Sequence, residues 1–302
     1  MTKKPLHYRT LEAFSGYLMV SPWVIGFLVF IAGPMVASLY QSMTVWDLFT
    51  APKWVGFQNY TKLFTNDPVF ITALRVTSIY AFASVPLQVL VGLILATLLN
   101  QKIRLQSLFR TTYYLPSVIG GISTAIIFRW VFGSQFGILN YFLGLLGIEG
   151  PRWLGDPNWV VVSFIIMSLW GAGSSMLVYL GALQGIPTEL YEAAEVDGAG
   201  SLLKWLRITV PLVTPAIFLN MVMGIIEALQ EFVIPQTMTN GGPANSSMFI
   251  VLYLYQNAFQ FSQMGYASAI AWILFIYILI LTALIFRSSS AWVYYEGATK
   301  GK

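Results

Sequence analysis

Four residues fall at helical spacing inside an otherwise apolar stretch near position 220. Asn220, Gly224, Glu227 and Glu231 follow one another at intervals of four, three and four residues, so a regular helix places them on one face. Carboxylate and amide groups form several directed hydrogen bonds, which suits a hydroxyl-rich solute. Ionisable groups inside apolar segments are costly and are usually functional or paired. The spacing therefore favours a water-filled path along this face, with Gln230 on its flank.

A structural alternative exists for the two carboxylates. Glu227 or Glu231 could form an ion pair with Arg75 or Arg129, which the sequence places near the same end of the spans. The path is the favoured interpretation for Glu227, and the ion pair is favoured for Glu231.

A second small and polar patch lies further upstream. It consists of Trp170, Gly171, Gly173, Ser174 and Ser175. Trp170 and Ser174 are candidates for lining the same path. Small residues in spanning helices more often serve helix packing, however, and packing is the favoured interpretation.

Composition excludes several kinds of chemistry. The 302 residues are 57% hydrophobic and only 9% charged, which is typical of an integral membrane protein. Without cysteine, disulfides, thiolate metal sites and cysteine nucleophiles are excluded. The single histidine, His7, lies in the N-terminal tail, so we expect no histidine-based metal site or triad.

Six apolar runs are long enough to cross a bilayer as helices. We predict an all-α membrane protein with tails at 1–15 and 287–302 and with spans at 16–40, 71–99, 112–132, 159–182, 209–234 and 266–286. The first run follows basic residues, as a signal peptide does. It is too long for such a peptide, and no small-residue cleavage site follows, so we expect a retained helix.

Lysine and arginine set the predicted orientation, because cytoplasmic loops carry more of them. With the N-terminus inside, eleven basic residues are cytoplasmic: Lys3, Lys4, Arg9, Lys102, Arg104, Arg110, Lys204, Arg207, Arg287, Lys300 and Lys302. Five fall outside or at outer helix ends: Lys53, Lys62, Arg75, Arg129 and Arg152. Both termini are therefore expected in the cytoplasm, together with the segment 184–208.

The segment 184–208 is polar and is predicted to turn sharply between two short helices. A short helix is predicted from Thr188 as N-cap to Asp197, where Gly198 can adopt the left-handed conformation that ends it. A second short helix is predicted from Ser201, before Pro211 opens the fifth span. The flat Ala193–Ala194 face lets another backbone approach closely. An amphipathic helix lying on lipid headgroups is the alternative, although such helices are usually rich in Lys and Arg rather than acidic.

The segment resembles the EAA loop of ABC-importer permeases, whose pattern is Glu-Ala-Ala, three residues, Gly, nine residues, Ile, one residue, Leu-Pro. The matching residues are Glu192, Ala193, Ala194, Gly198, Ile208 and Pro211, with Val210 in place of the usual Leu. Asp197, Ala199 and Pro215 match the carbohydrate-permease version. Stretches such as WVGFQNYTKLF and LFRTTYYLPSVI extend the resemblance to MalF/UgpA-type sugar permeases over nearly the whole chain. One departure is Arg75-Val76-Thr77, where an Asn commonly precedes the Thr.

The resemblance implies the type I ABC importer permease fold and a transport subunit, not an enzyme. In that family the loop forms a coupling helix in a cleft of the ATPase, which implies coupling roles for Glu192, Ala193, Ala194, Asp197, Gly198, Ala199, Ile208 and Pro211. Implied partners are a second homologous permease, two ABC ATPases that hold ATP and Mg, an extracytoplasmic solute-binding protein and a sugar or oligosaccharide. The implied location is a bacterial or archaeal cytoplasmic membrane, and no nucleic acid or cofactor of its own is expected.

Other functions remain open at this point. The chain has no G-x-x-x-x-G-K-[ST] motif, so ATP energy must come from another subunit. The same machinery could import glycerol-3-phosphate or another polyol derivative. An ion-coupled secondary transporter could use Glu227 as its proton site, but inverted repeats and paired broken helices are not evident. A membrane-embedded enzyme would need a cluster of nucleophile, base and metal ligands, which the sequence lacks.

Overall fold

A computed structural model describes residues 6–101 and 103–294, with side chains from residue 12 onward. Several residues used above to predict orientation or exclude chemistry lie outside this description, namely Lys3, Lys4, Lys102, Lys300, Lys302 and the side chains of His7 and Arg9. The chain divides into two compact units. The first comprises Met1–Thr65 and Leu254–Trp272, and the second comprises Asn66–Tyr253 and Ile273–Lys302.

The first unit begins with a long helix. It runs as α1 (Leu6–Phe27), a π-helical turn (Leu28–Ala32) and α2 (Gly33–Ser42), followed by the antiparallel pair β1 (Thr44–Val45) and β2 (Lys53–Trp54) and by α3 (Gln58–Thr65). The side-chain amide of Asn59 donates to the carbonyl oxygens of Ser42 and Thr44, at 2.8 and 2.9 Å. This buried amide fixes α3 against the end of the first long helix.

The second unit is built around α4 (Pro68–Leu99), whose first turn is capped by the Asp67 carboxylate. The remaining helices of the chain are α5 (Gln106–Val118), α6 (Gly121–Val131), α7 (Ile138–Leu145), α8 (Val160–Leu169), α9 (Gly173–Gln184), α10 (Thr188–Val196), α11 (Ser201–Lys204), a π-helical turn (Trp205–Thr209), α12 (Val210–Leu229), α13 (Val233–Met238), α14 (Ile250–Tyr255), a π-helical turn (Gln256–Gln260) and α15 (Met264–Trp292). Helices α8, α9 and α12 all pack against α4.

The described residues contain four helices long and apolar enough to cross a membrane: Glu12–Ser42, Pro68–Leu99, Ser201–Leu229 and Met264–Trp292. Two bent pairs, α5 with α6 and α8 with α9, raise the number to six if each pair is one span. This agrees with the predicted all-α fold of six spans.

Two of the predicted spans are not single helices. Within 112–132, α5 and α6 are bent by 100°, because Pro116 removes a backbone donor and Ile119 and Gly120 are extended, with ψ of 128° and 144°. Within 159–182, α8 and α9 are bent by 43° around Trp170–Ala172. The apolar composition runs straight through both breaks, so hydropathy alone does not reveal them.

The inner segment differs from its prediction at three points. Thr188 and Ser201 are not N-caps, because each is the first helical residue and the caps are Pro187 and Gly200, without side-chain bonds. The second short helix is not separate either, since one continuous helix runs from Ser201 to Leu229. Pro211 is accommodated because the turn before it widens, with the Val210 amide donating to the Trp205 carbonyl.

The fifth span ends earlier than predicted. Helix α12 stops at Leu229, and the chain resumes helical structure only in α13. The prediction that Glu231 shares a helical face with Glu227 is therefore wrong, because Glu231 lies beyond the end of the helix.

Candidate functional site

A cleft of about 180 Å³ lies between α4, α9 and α12. It is lined by Val85, Gln88, Val89, Ser174, Ser175, Val178, Asn220, Met223, Gly224 and Glu227. Two glycines allow the helices to approach this closely. A Cβ atom on Gly92 would overlap Oγ of Ser175, and one on Gly224 would lie 3.0 Å from Cγ1 of Val85.

The cleft unites four of the seven residues that the sequence indicates for a solute path. Asn220, Gly224 and Glu227 come from α12, and Ser174 comes from α9. Ser174, for which packing was the favoured interpretation, is exposed and lines this cleft. Gln88 belongs to the cleft but is absent from the predicted path. The sequence carries an indication of this role, because Gln88 is a polar residue inside the apolar run 71–99.

The other three predicted path residues lie outside the cleft. Gln230 is exposed and caps the end of α12. Trp170 packs edge-on against the ring of Phe128, with centroids 5.3 Å apart, which fits the packing interpretation. The carboxylate of Glu231 accepts a hydrogen bond from the Ile234 backbone amide at 2.9 Å.

The polar groups of the cleft are suited to hydrogen bonding with a solute. Ser175 and Asn220 donate to carbonyl oxygens of their own helices, which leaves their oxygen atoms as acceptors. Within the described part of the chain, the side chains of Gln88 and Glu227 have no hydrogen-bonding or ionic partner. Within the described residues, neither Glu227 nor Glu231 forms an ion pair with Arg75 or Arg129, so the ion pair favoured for Glu231 is wrong. A polar group without a protein partner in a cleft is available to water or to a solute.

The inner segment forms a second site, whose geometry depends on Gly198. This residue has φ of +77°, which confirms the predicted left-handed helix end. The amides of Gly198 and Ala199 donate to the carbonyls of Glu195 and Ala194, at 3.0 and 2.9 Å. These two bonds close the end of α10 and turn the chain sharply toward the next helix.

One face of α10 is open. Glu192, Ala193 and Asp197 are exposed, and Val196 is 89% exposed. An apolar side chain this exposed at a helix end, among carboxylates, suits a protein partner better than it suits water. Ala194 and Ala199 are half-buried on the inner side.

A salt bridge braces α10 against the start of the long helix. Nζ of Lys204 lies 2.6 Å from Oε1 of Glu195. This hydrogen bond and the charge of Lys204 hold the pKa of Glu195 below its ordinary value. The bridge is largely open to solvent on the Glu195 side, so it orients the two helices more than it stabilises the fold.

The inner face of the segment packs into the membrane-spanning helices. The Tyr191 hydroxyl pairs with Oγ1 of Thr209, and the indole nitrogen of Trp205 donates to Oγ1 of Thr97 on α4 at 3.1 Å. Tyr191, Trp205 and Ile208 also pack on a buried cluster that includes Leu93, Ala96, Met176, Tyr179, Leu183 and Val213. Ile208 and the half-buried Pro211 thus belong to the inner side of this joint rather than to its open face.

No group of three or more His, Cys, Asp or Glu side chains is placed to hold a metal ion in the part of the chain that the structure describes.

Comparison with known proteins covers both sites. Residues 88–292, which contain the inner segment and every cleft-lining residue except Val85, match the family described as "Binding-protein-dependent transport system inner membrane component". The chain is similar to the probable ABC transporter permease protein YesP of Bacillus subtilis, with 42% identity covering 94% of this chain and 93% of that protein. It is also similar to the lactose transport system permease protein LacF of Rhizobium radiobacter, with 36% identity covering 91% and 94%.

A solved structure shares the fold. The chain is similar to a permease chain of a bacterial ABC transporter involved in the import of the acidic polysaccharide alginate. The TM-score is 0.81 and the identity is 25%, covering 95% of this chain and 99% of that one. The predicted type I importer permease fold and the predicted role as a transport subunit are thereby confirmed. The chain belongs to the family of binding-protein-dependent transport system inner membrane components, as a multi-pass permease of an ABC importer.

Proposed function

We propose that this permease carries a sugar or oligosaccharide through the cleft and that partner ATPases drive it through α10. The observation that carries the proposal is the single helix from Ser201 to Leu229. Its first residues belong to the inner joint, and its last turns hold Asn220, Gly224 and Glu227 in the cleft. At about 1.5 Å per residue this helix is about 40 Å long, so it links the two sites directly.

The transmission path follows the contacts of α10. A bound ATPase moves the open face of α10, which includes Glu192, Ala193, Asp197 and Gly198. Tyr191 and Glu195 of the same helix move with it. These residues hold Thr209 and Lys204 of the long helix. Movement of that helix displaces the α12 wall of the cleft relative to α4 and α9, which changes access to the cleft from one side of the membrane to the other.

The complete importer contains further subunits. A second homologous permease completes the path, two ABC ATPases bind ATP and Mg, and an extracytoplasmic solute-binding protein delivers the sugar. The assembly lies in a bacterial or archaeal cytoplasmic membrane with both termini of this chain inside, in line with the distribution of basic residues in its loops. Relatives that are named for lactose transport and alginate import support a carbohydrate as cargo.

The cleft argues against a phosphorylated polyol. Phosphate recognition relies on Arg and Lys side chains, whereas the one ionisable residue that lines the described cleft is the carboxylate of Glu227. This half of the path therefore suits hydroxyl groups better than the phosphate of glycerol-3-phosphate.

Reconstitution tests the transport function. The assembled complex in liposomes, with its binding protein outside, should accumulate radiolabelled sugar only when ATP is supplied to the ATPase side. An ionophore that collapses ion gradients should leave uptake unchanged. Uptake that continues without ATP but stops with the ionophore would instead establish an ion-coupled transporter.

Cross-linking tests the coupling role of α10. The chain has no cysteine, so a single introduced thiol reports on one position alone. Val196→Cys should cross-link to an ATPase subunit in the working complex. Leu146 is 75% exposed and lies on the predicted outer side. Leu146→Cys is therefore the matched control and should not cross-link to an ATPase subunit. Absence of any Val196→Cys cross-link in an active complex contradicts the role.

A further inference from the structure

Glu231 occupies a specific position between two helices. It follows the end of α12 and precedes α13, and its Oε1 atom accepts a hydrogen bond from the Ile234 amide at 2.9 Å. The first amides of any helix lack partners inside the helix. An acceptor oxygen beside them satisfies one of these donors. The half-buried Glu231 side chain therefore fixes the first turn of α13.

Helix α13 in turn is packed against α6. A Cβ atom on Gly121 would contact Cγ1 of Val233 at 3.6 Å, so the two helices meet through their first residues. Ile234 and Met238 of α13 are buried. The pair is thus a packed unit rather than two loose connections.

The α6–α13 pair lies where three spans are interrupted. Helix α6 follows the break in the third span, and α13 follows the end of α12. The ring of Phe128 on α6 contacts Trp170, which sits in the break between α8 and α9.

The same breaks mark one end of the cleft. Ser174 follows the break of the fourth span, and Glu227 precedes the end of α12. The pair is thus joined to both cleft walls over a few residues, since Trp170, which contacts Phe128 of α6, lies four residues before Ser174, and α13 begins six residues after Glu227.

We propose that Glu231 is a positioning residue for transport, whose carboxylate oxygen holds α13, and with it the α6–α13 pair, at one end of the cleft. The inference rests on the proposed function of the cleft as the cargo path. Its chemical requirement is specific, since the bond to the Ile234 amide needs an acceptor oxygen but no negative charge. A role in cargo binding, ion pairing or proton transfer would need the charge.

Two substitutions of similar volume separate these roles. Glu231→Gln keeps an acceptor oxygen, and Glu231→Met removes it. In the assembled complex in lipid nanodiscs, amide hydrogen exchange over residues 233–239 should accelerate about 2- to 30-fold in Glu231→Met, as expected for a lost helix cap. Exchange in Glu231→Gln should match the unmodified protein.

ATP turnover without binding protein or sugar gives the second readout. A loosened α6–α13 pair should raise this basal turnover in Glu231→Met, whereas general damage would lower it. Glu231→Gln should keep the basal turnover of the unmodified complex. This measurement needs no transported sugar, so its outcome is independent of whether the uptake assay identifies the cargo.

Three outcomes would overturn the proposal. Equal effects of Glu231→Gln and Glu231→Met would show that the charge is required. Unchanged exchange and turnover in Glu231→Met would show that the bond positions nothing. If Glu231→Met and the smaller Glu231→Ala both fail to assemble while Glu231→Gln assembles, the residue serves assembly rather than transport.

Discussion

The hydroxyl group of Tyr191 lies 2.9 Å from Oγ1 of Thr209. The first residue belongs to α10 and the second to the turn that leads into α12, so this bond joins the proposed ATPase contact to the proposed cargo wall. Tyr191 is half-buried and Thr209 is buried, which shields the bond from competing water.

Tyr191→Phe removes this bond and keeps the ring packing. We expect ATPase subunits to remain bound while sugar-stimulated ATP turnover falls about 2- to 10-fold, because one hydrogen bond contributes about 0.5–1.5 kcal/mol. Turnover in proteoliposomes and recovery of the purified complex measure the two effects. Unchanged stimulation in Tyr191→Phe would remove this bond from the transmission path.

Gly198→Val should destroy coupling without preventing membrane insertion. A β-branched residue at φ of +77° is strained, at a cost of about 1–2 kcal/mol or more, so α10 loses its end and its angle. The expected result is loss of ATPase association and of uptake. Gly200→Ala is the matched control, because Gly200 has φ of −69° and open space around it. Equal behaviour of the two variants would contradict a conformational requirement at Gly198.

Glu227→Gln tests the cleft. The carboxylate has no partner in the described chain, so its replacement should leave assembly intact. The KM for sugar uptake should rise about 2- to 10-fold, because Gln keeps an acceptor oxygen but a neutral acceptor forms a weaker hydrogen bond than a carboxylate. Gln230→Ala, exposed but outside the cleft, should leave KM unchanged. Uptake kinetics of the two variants decide the point, and an unaltered KM in Glu227→Gln argues against cargo contact.

Gly92→Ala should separate α4 from α9. Besides crowding Oγ of Ser175, its new methyl group would lie 3.3 Å from Cβ of Ser175 and from a ring carbon of Tyr179, and overpacking of this kind costs about 1–3 kcal/mol. We expect a lower Tm of the purified permease and altered uptake, since Ser175 lines the cleft. Gly181→Ala on α9 adds its methyl group in open space and should keep the Tm of the unmodified protein.

Local patterns predicted the parts of the sites that one helix can encode. Asn220, Gly224 and Glu227 share a face because their spacing lies within one regular helix. Gly198 ends α10 in the left-handed conformation because glycine after a helix is favoured there. The inner segment was predictable for the same reason, since its turn and its helix are sequence-local features.

The remaining features depend on tertiary packing. Gln88 joins the cleft through the packing of α4 against α9 and α12, which single-helix periodicity does not encode. No proline or glycine marks the end of α12 between Leu229 and Phe232, so the displacement of Glu231 from the helical face has no local signal. The break after α5 does carry signals, in Pro116, Gly120 and Gly121, but apolar composition on both sides masks them.

The helix from Ser201 to Leu229 places the proposed ATPase joint near its first residues and the proposed cargo contact near its last turns, on one continuous element. Substitutions at the cleft end of this helix can therefore change solute selectivity without altering the contact of the ATPase subunits with the inner segment. Such a chain is a natural scaffold for exchanging cargo preference by engineering a few side chains, with the drive mechanism left as it is.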